Sequence, residues 1–244
     1  MALNLYYYAS PATFYQLSGK LIPWFGWSAA ILTVIGLYIS FFMAPTDFQQ
    51  GEAYRIIFIH VPAAWMSMFI YLVMAFWGAI GLAFKTRLSF MMSRALAPTG
   101  ALFTFIALWT GALWGKPMWG AWWVWDARLT SELILLFLYI GIMALWAAID
   151  DPQRGDRAGA LLTLVGAINV PIIYFSVKWW NTLHQGASVS LTKAPSMAKI
   201  MLIGMLVMAI AAWLYTIAVA LYRARTLILE RERNTDWVKA QMEK

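Results

Sequence analysis

The chain has 244 residues, 62% of them hydrophobic and only 12% charged. A soluble domain carries about one quarter charged residues, so this composition excludes a water-soluble globular protein. The net charge of +7 does not mark a nucleic-acid binder, because the basic residues are divided among short connectors, loops and one tail. The absence of cysteine removes disulfides, thiolate metal sites and any thiol nucleophile.

Six apolar runs follow one another: 21–43, 61–84, 95–114, 129–149, 158–177 and 200–222. Each is long enough to cross roughly 30 Å of hydrocarbon as a helix. The expected fold is an all-α polytopic membrane protein: residues 1–244 form one domain of six transmembrane helices, with no room for a separate soluble domain. The first 20 residues carry no positive charge before Lys20, unlike a secretory signal, so the first run is expected to remain as a span.

With six spans both termini share a side. That side holds 12 of the 18 Lys and Arg residues, six of them in the tail 223–244, and the opposite side holds 6. The positive-inside rule then puts both termini in the cytoplasm. The connectors 85–94 and 150–157 are short and charged and need no role beyond setting topology. Pro98 and Pro171 fall inside spans and are expected to kink them.

Everything unusual lies in the three outer loops, 44–60, 115–128 and 178–199. The first ends in His60 and the third contains His184, the only two histidines of the chain. Between them WGKPMWGAWWVWDARLTSE packs Trp114, Trp119, Trp122, Trp123 and Trp125 into twelve residues. An interfacial aromatic belt spreads its rings around a bundle, which suits Trp24, Trp27, Trp65, Trp179 and Trp180 better than this cluster. On a helical wheel Trp119, Trp122, Trp123 and Trp125 would span an arc of about 160°. The intervening Gly120, Ala121 and Val124 offer no polar face to water, so the stretch is expected to rest against a flat apolar partner.

Pro62 suits a first helical turn, which would hold His60 at the mouth of the second span. Two facing imidazoles suit a low-spin haem iron or part of a transition-metal site. Zinc wants three or four protein ligands, and these loops add only Asp47, Glu52 and Asp126. Arg55 and Arg128 are candidate partners for the two propionates of a porphyrin, or anchors at the headgroups. Asp126 is either part of the site or the N-cap of the fourth span. Glu132 lies one turn into that span, where a carboxylate must be paired or near water.

WGAWWVWDARLTSELILLFLYIG resembles the tryptophan-rich "WWD" signature of the haem-handling membrane proteins of cytochrome c biogenesis. The six spans, HVPAAWMS and LHQG are similar to one branch over essentially the whole chain, the cytochrome c maturation protein C family. The resemblance implies haem b bound non-covalently on the periplasmic face of the bacterial inner membrane. The platform would be Trp114, Trp119, Trp122, Trp123, Trp125 and Asp126, and the axial ligands His60 and His184. It implies presentation of haem to a periplasmic haem chaperone, with a small single-span subunit and ATP-binding cassette transporter subunits as further partners. A protein that lends haem gains from having no cysteine to trap a vinyl group. Enzymatic status stays open, and the chain has no nucleotide-binding motif of its own.

Three other readings compete: a transporter carrying haem through its own bundle, a structural subunit with an aromatic belt, and a quinone-linked redox protein. Both histidines lie on one side, and spans one, two, three and six carry almost no ionisable residue at mid-depth. That favours capture at the surface over a route through the bundle.

Overall fold

The computed structural model describes residues 7, 9–180, 182–184, 189 and 195–243. Gln185, Gly186 and Lys193 of the third outer loop lie outside these. Eight α-helices are described: α1 (Pro11–Tyr38), α2 (Ile57–Phe84), α3 (Arg87–Trp119), α4 (Ala127–Ala148), α5 (Pro152–Gly166), α6 (Asn169–Trp179), α7 (Lys199–Arg231) and α8 (Asp236–Met242). A π-helical turn, Ile39–Met43, ends the first span, and a 3-10 turn, Glu52–Ile56, runs directly into α2. Together these make six segments long and apolar enough to cross a membrane, and the protein is an all-α, multi-pass membrane protein.

The segments outrun the apolar stretches of the sequence. The first reaches from Pro11 to Met43 and the last from Lys199 to Arg231. The expected connectors 85–94 and 150–157 shrink to the residues between Phe84 and Arg87 and between Ala148 and Pro152. Hydropathy marks where a helix leaves hydrocarbon, not where its hydrogen bonds stop.

Two charges from those stretches, Arg94 and Asp156, lie on helices and face each other, contrary to the reading that the stretches serve topology alone. Asp156 is buried and pairs with Arg94 at 2.7 Å and with both terminal nitrogens of Arg231 at 3.0 and 3.1 Å. The Arg94 guanidinium also lies 4.8 Å over the Trp146 ring.

The fifth span is broken. Pro171 has no N–H for the Ala167 carbonyl, and that carbonyl accepts from Val170 N instead at 3.1 Å. The break at Ala167–Ile168 puts Pro171 in the first turn of α6, where a missing donor costs nothing. Pro98 stays inside a continuous α3.

The core sits where α2, α3 and α4 meet, with Ile70, Tyr71, Met74, Leu135, Tyr139 and Ile142 fully buried. α1 packs mainly on α7 and buries only Ser18, Ala29 and Gly36, leaving its larger side chains for lipid. Among the described residues there is no β-strand, only an isolated bridge between Asp47 and Gly51.

Candidate functional site

His60 lies one turn inside α2, not at its mouth, and is 9% exposed. The helix starts earlier than Pro62 suggests because the preceding 3-10 turn is fastened from below. Tyr54 is buried and its hydroxyl donates to the Pro45 carbonyl at 2.6 Å. Arg55 donates to the Ser40 carbonyl at 2.6 Å and pairs with Glu52, which also accepts from Thr46. Pro62 is therefore an interior residue of α2, where it forfeits one hydrogen bond.

The chain brings its two histidines together. The ring centroids of His60 and His184 are 6.2 Å apart and their planes are inclined by 32°. Each imidazole has an indole beside it: Trp114 meets His60 edge-on at 5.7 Å, and Trp119 lies 6.3 Å from His184. Trp114 is itself held, its Nε1–H donating to Gln50 Oε1 at 2.9 Å. Both indoles are on α3, which runs on to Trp119 and is closed by Gly120. Gly120 has φ +76°, the left-handed geometry that commonly ends helices at glycine, and its N–H returns to the Lys116 carbonyl at 3.0 Å.

These four rings line a cleft that is open at one side. Gly111, Arg128, Leu129 and Glu132 line it as well. A Cβ on Gly111 would come within 3.1 Å of His60 Cε1, so the bare backbone there makes room for the imidazole. Arg128 donates to the Ile173 carbonyl at 2.8 Å, which leaves further guanidinium N–H groups for the cavity. Glu132 is buried, with Oε1 2.7 Å from the Ser67 hydroxyl, and Tyr139 donates to the Ser67 carbonyl at 2.7 Å.

The tryptophan stretch divides at Gly120. Trp122 and Trp125 are 55% and 77% exposed, and Trp123 meets Trp125 edge-on at 5.4 Å. None of the three lines the cavity. Asp126 caps α4, accepting from Leu129 N–H at 2.8 Å, while its Oδ2 is buried without a hydrogen bond among the described residues. Arg55 is engaged at the first outer loop and is not a lining residue. Thr110 and Gly111 escaped the sequence reading. The one available hint was their place four and three residues before Trp114, respectively, on the same helical face.

Two imidazoles at this spacing, each with an indole beside it, are chemically suited to hold a flat iron macrocycle. Among the described residues, no group of three or more His, Cys, Asp or Glu forms a metal site.

The fold and cleft define a class: six-helix membrane proteins that gather two imidazoles and two indoles at one end of the bundle. Comparison of the whole chain narrows it. Residues 4–239 match the family model for heme exporter protein C. The chain is 53% identical over 223 residues to the heme exporter protein C of Bradyrhizobium diazoefficiens, covering 91% of this chain and 84% of that one. Identity to the Escherichia coli K12 protein of the same name is 47% over 239 residues, covering 96% and 95%. The Haemophilus influenzae protein is 44% identical over 236 residues, covering 97% and 96%. The chain belongs to the heme exporter protein C family.

Proposed function

We propose that this protein binds haem b non-covalently in the cleft and presents it for transfer during cytochrome c maturation. The observation that carries the reading is that the only two histidines of the sequence converge to 6.2 Å in one cavity. Haem is the cargo. When bound it supplies an iron that accepts two axial nitrogens; the chain's own residues hold and orient it. His60 and His184 ligate from opposite sides, and Trp114 and Trp119 cover apolar ring surface. Arg128 pairs with a propionate. Arg55 was the other candidate, and its engagement with Glu52 and Ser40 leaves Arg128 the better placed.

Trp122 and Trp125 stand outside the cleft, and the reading gives them the partner side: contact with a periplasmic haem chaperone that takes the cargo. A small single-span subunit and ATP-binding cassette transporter subunits complete the assembly. The site then faces the periplasm of a bacterial inner membrane, with both termini cytoplasmic.

The rival reading, haem carried through the bundle, needs an opening below Glu132. Tyr71, Met74, Leu135, Tyr139 and Ile142 close that region as fully buried core, which supports capture and release at one face.

The test is the visible spectrum of detergent-purified wild type, His60→Ala and His184→Ala. Low-spin bands in wild type that weaken or become high-spin in each variant are expected. Identical haem spectra in all three would remove the histidines from the site.

A further inference from the structure

The best-defined feature beside the cleft that the proposed function leaves unused is a hydroxyl behind the His60 ring. Thr110 Oγ1 lies 3.0 Å from His60 Nδ1. The same oxygen is 2.6 Å from the Ile106 carbonyl and 3.3 Å from the Ala107 carbonyl. A threonine hydroxyl has a single proton. Two oxygens 2.6 Å apart with no proton between them would set lone pair against lone pair, so the proton points back to Ile106, as helical threonines commonly direct it. What Thr110 then offers the imidazole is an acceptor. A neutral imidazole facing an acceptor at Nδ1 carries its proton there, and its lone pair is on Nε2.

We propose that Thr110 is a positioning residue that fixes His60 as the Nδ1–H tautomer and so keeps Nε2 free to ligate iron. The inference rests on the haem-binding reading. It extends it by naming the group that makes one histidine a ligand before any cargo arrives. Outer partners of this kind orient ligating histidines, and their loss typically lowers metal affinity roughly 10–100-fold. The geometry of the ring is over-determined around this bond. Gly111, the next residue, leaves the space that the ring occupies, and Trp114, one turn on, meets the ring edge-on. One face of α3 thus sets the tautomer, the position and the tilt of a residue on α2.

With two histidines in the chain, ¹⁵N-histidine labelling yields a spectrum simple enough to read tautomers directly in the apoprotein, with His184→Ala assigning the signals. The expected result is a His60 Nδ1–H tautomer in wild type and in Thr110→Ser, and a mixture or the Nε2–H form in Thr110→Val. Haem affinity should fall at least tenfold in Thr110→Val and recover in Thr110→Ser. Unchanged His184 signals in Thr110→Val certify that the cleft is intact, and Thr110→Ala stands in where the valine variant does not fold. An Nε2–H tautomer in wild type, or a Thr110→Val protein with unaltered tautomer and haem affinity, overturns the proposal. The two readings fail separately: His60→Ala with a wild-type haem spectrum sinks the ligation of iron by His60. A collapsed His60→Ala spectrum beside an unaltered Thr110→Val sinks only the role of Thr110.

Discussion

Gly111 faces His60 with no side chain, and one methyl group there would press on the imidazole. Alanine is also favoured over glycine inside a helix by about 0.5–1 kcal/mol. Gly111→Ala is therefore expected to separate binding from folding. Haem affinity should drop about tenfold, equivalent to about 1.4 kcal/mol, while the melting temperature stays level or rises; haem titration and thermal unfolding of one preparation check both. The indoles make a second contrast. Trp119→Ala removes a cavity wall and should weaken haem binding in the purified protein, whereas Trp125→Ala, on a 77% exposed ring, should leave it unchanged. Equal losses in both would contradict the division of the stretch at Gly120. Histidine and tryptophan were legible in the sequence because they are chemically distinctive and placed together. Thr110 and Gly111 are ordinary helix residues until a ring fifty positions away is brought beside them.

At the scale of the element, the start of α4 depends on one side chain. Asp126 accepts from Leu129 N–H, and loss of such a cap costs roughly 0.5–2 kcal/mol. Asp126→Ala should lower the unfolding temperature by a few degrees, and Asp126→Asn should restore most of it, since asparagine caps as well. A stability loss without rescue by asparagine would point to a role for the carboxylate charge. The six spans were readable because apolar length is a strong signal. Their ends were not, because Arg87, Arg94 and Arg231 are polar residues that nevertheless continue helices. His60 was misjudged for the same reason: Pro62 advertised a helix start, and buried Tyr54 with its bond to Pro45 moved it one turn earlier.

Taken as a whole, the molecule keeps its buried ion pairs, among the described residues, and its cleft at opposite ends. Asp156 holds Arg94 and Arg231 together at the end away from the histidines. Removing one partner from a buried pair typically costs about 3–5 kcal/mol because a charge is left uncompensated. Asp156→Ala should thus lower thermal stability sharply, yet molecules that remain folded should show the wild-type haem spectrum. A changed spectrum in the folded fraction would mean that the two ends are coupled.

The broken fifth span gives the cleft unequal sides. His60, Thr110, Trp114 and Trp119 ride on two long helices that also build the core. Arg128, by contrast, is tethered to Ile173 on α6, an eleven-residue segment, and His184 follows five residues after the end of that segment. The break at Ala167–Ile168 separates the turns that meet Arg128 and lead toward His184 from the rest of the fifth span. This side of the cleft is therefore supported by a shorter run of helical hydrogen bonds than the side that carries His60.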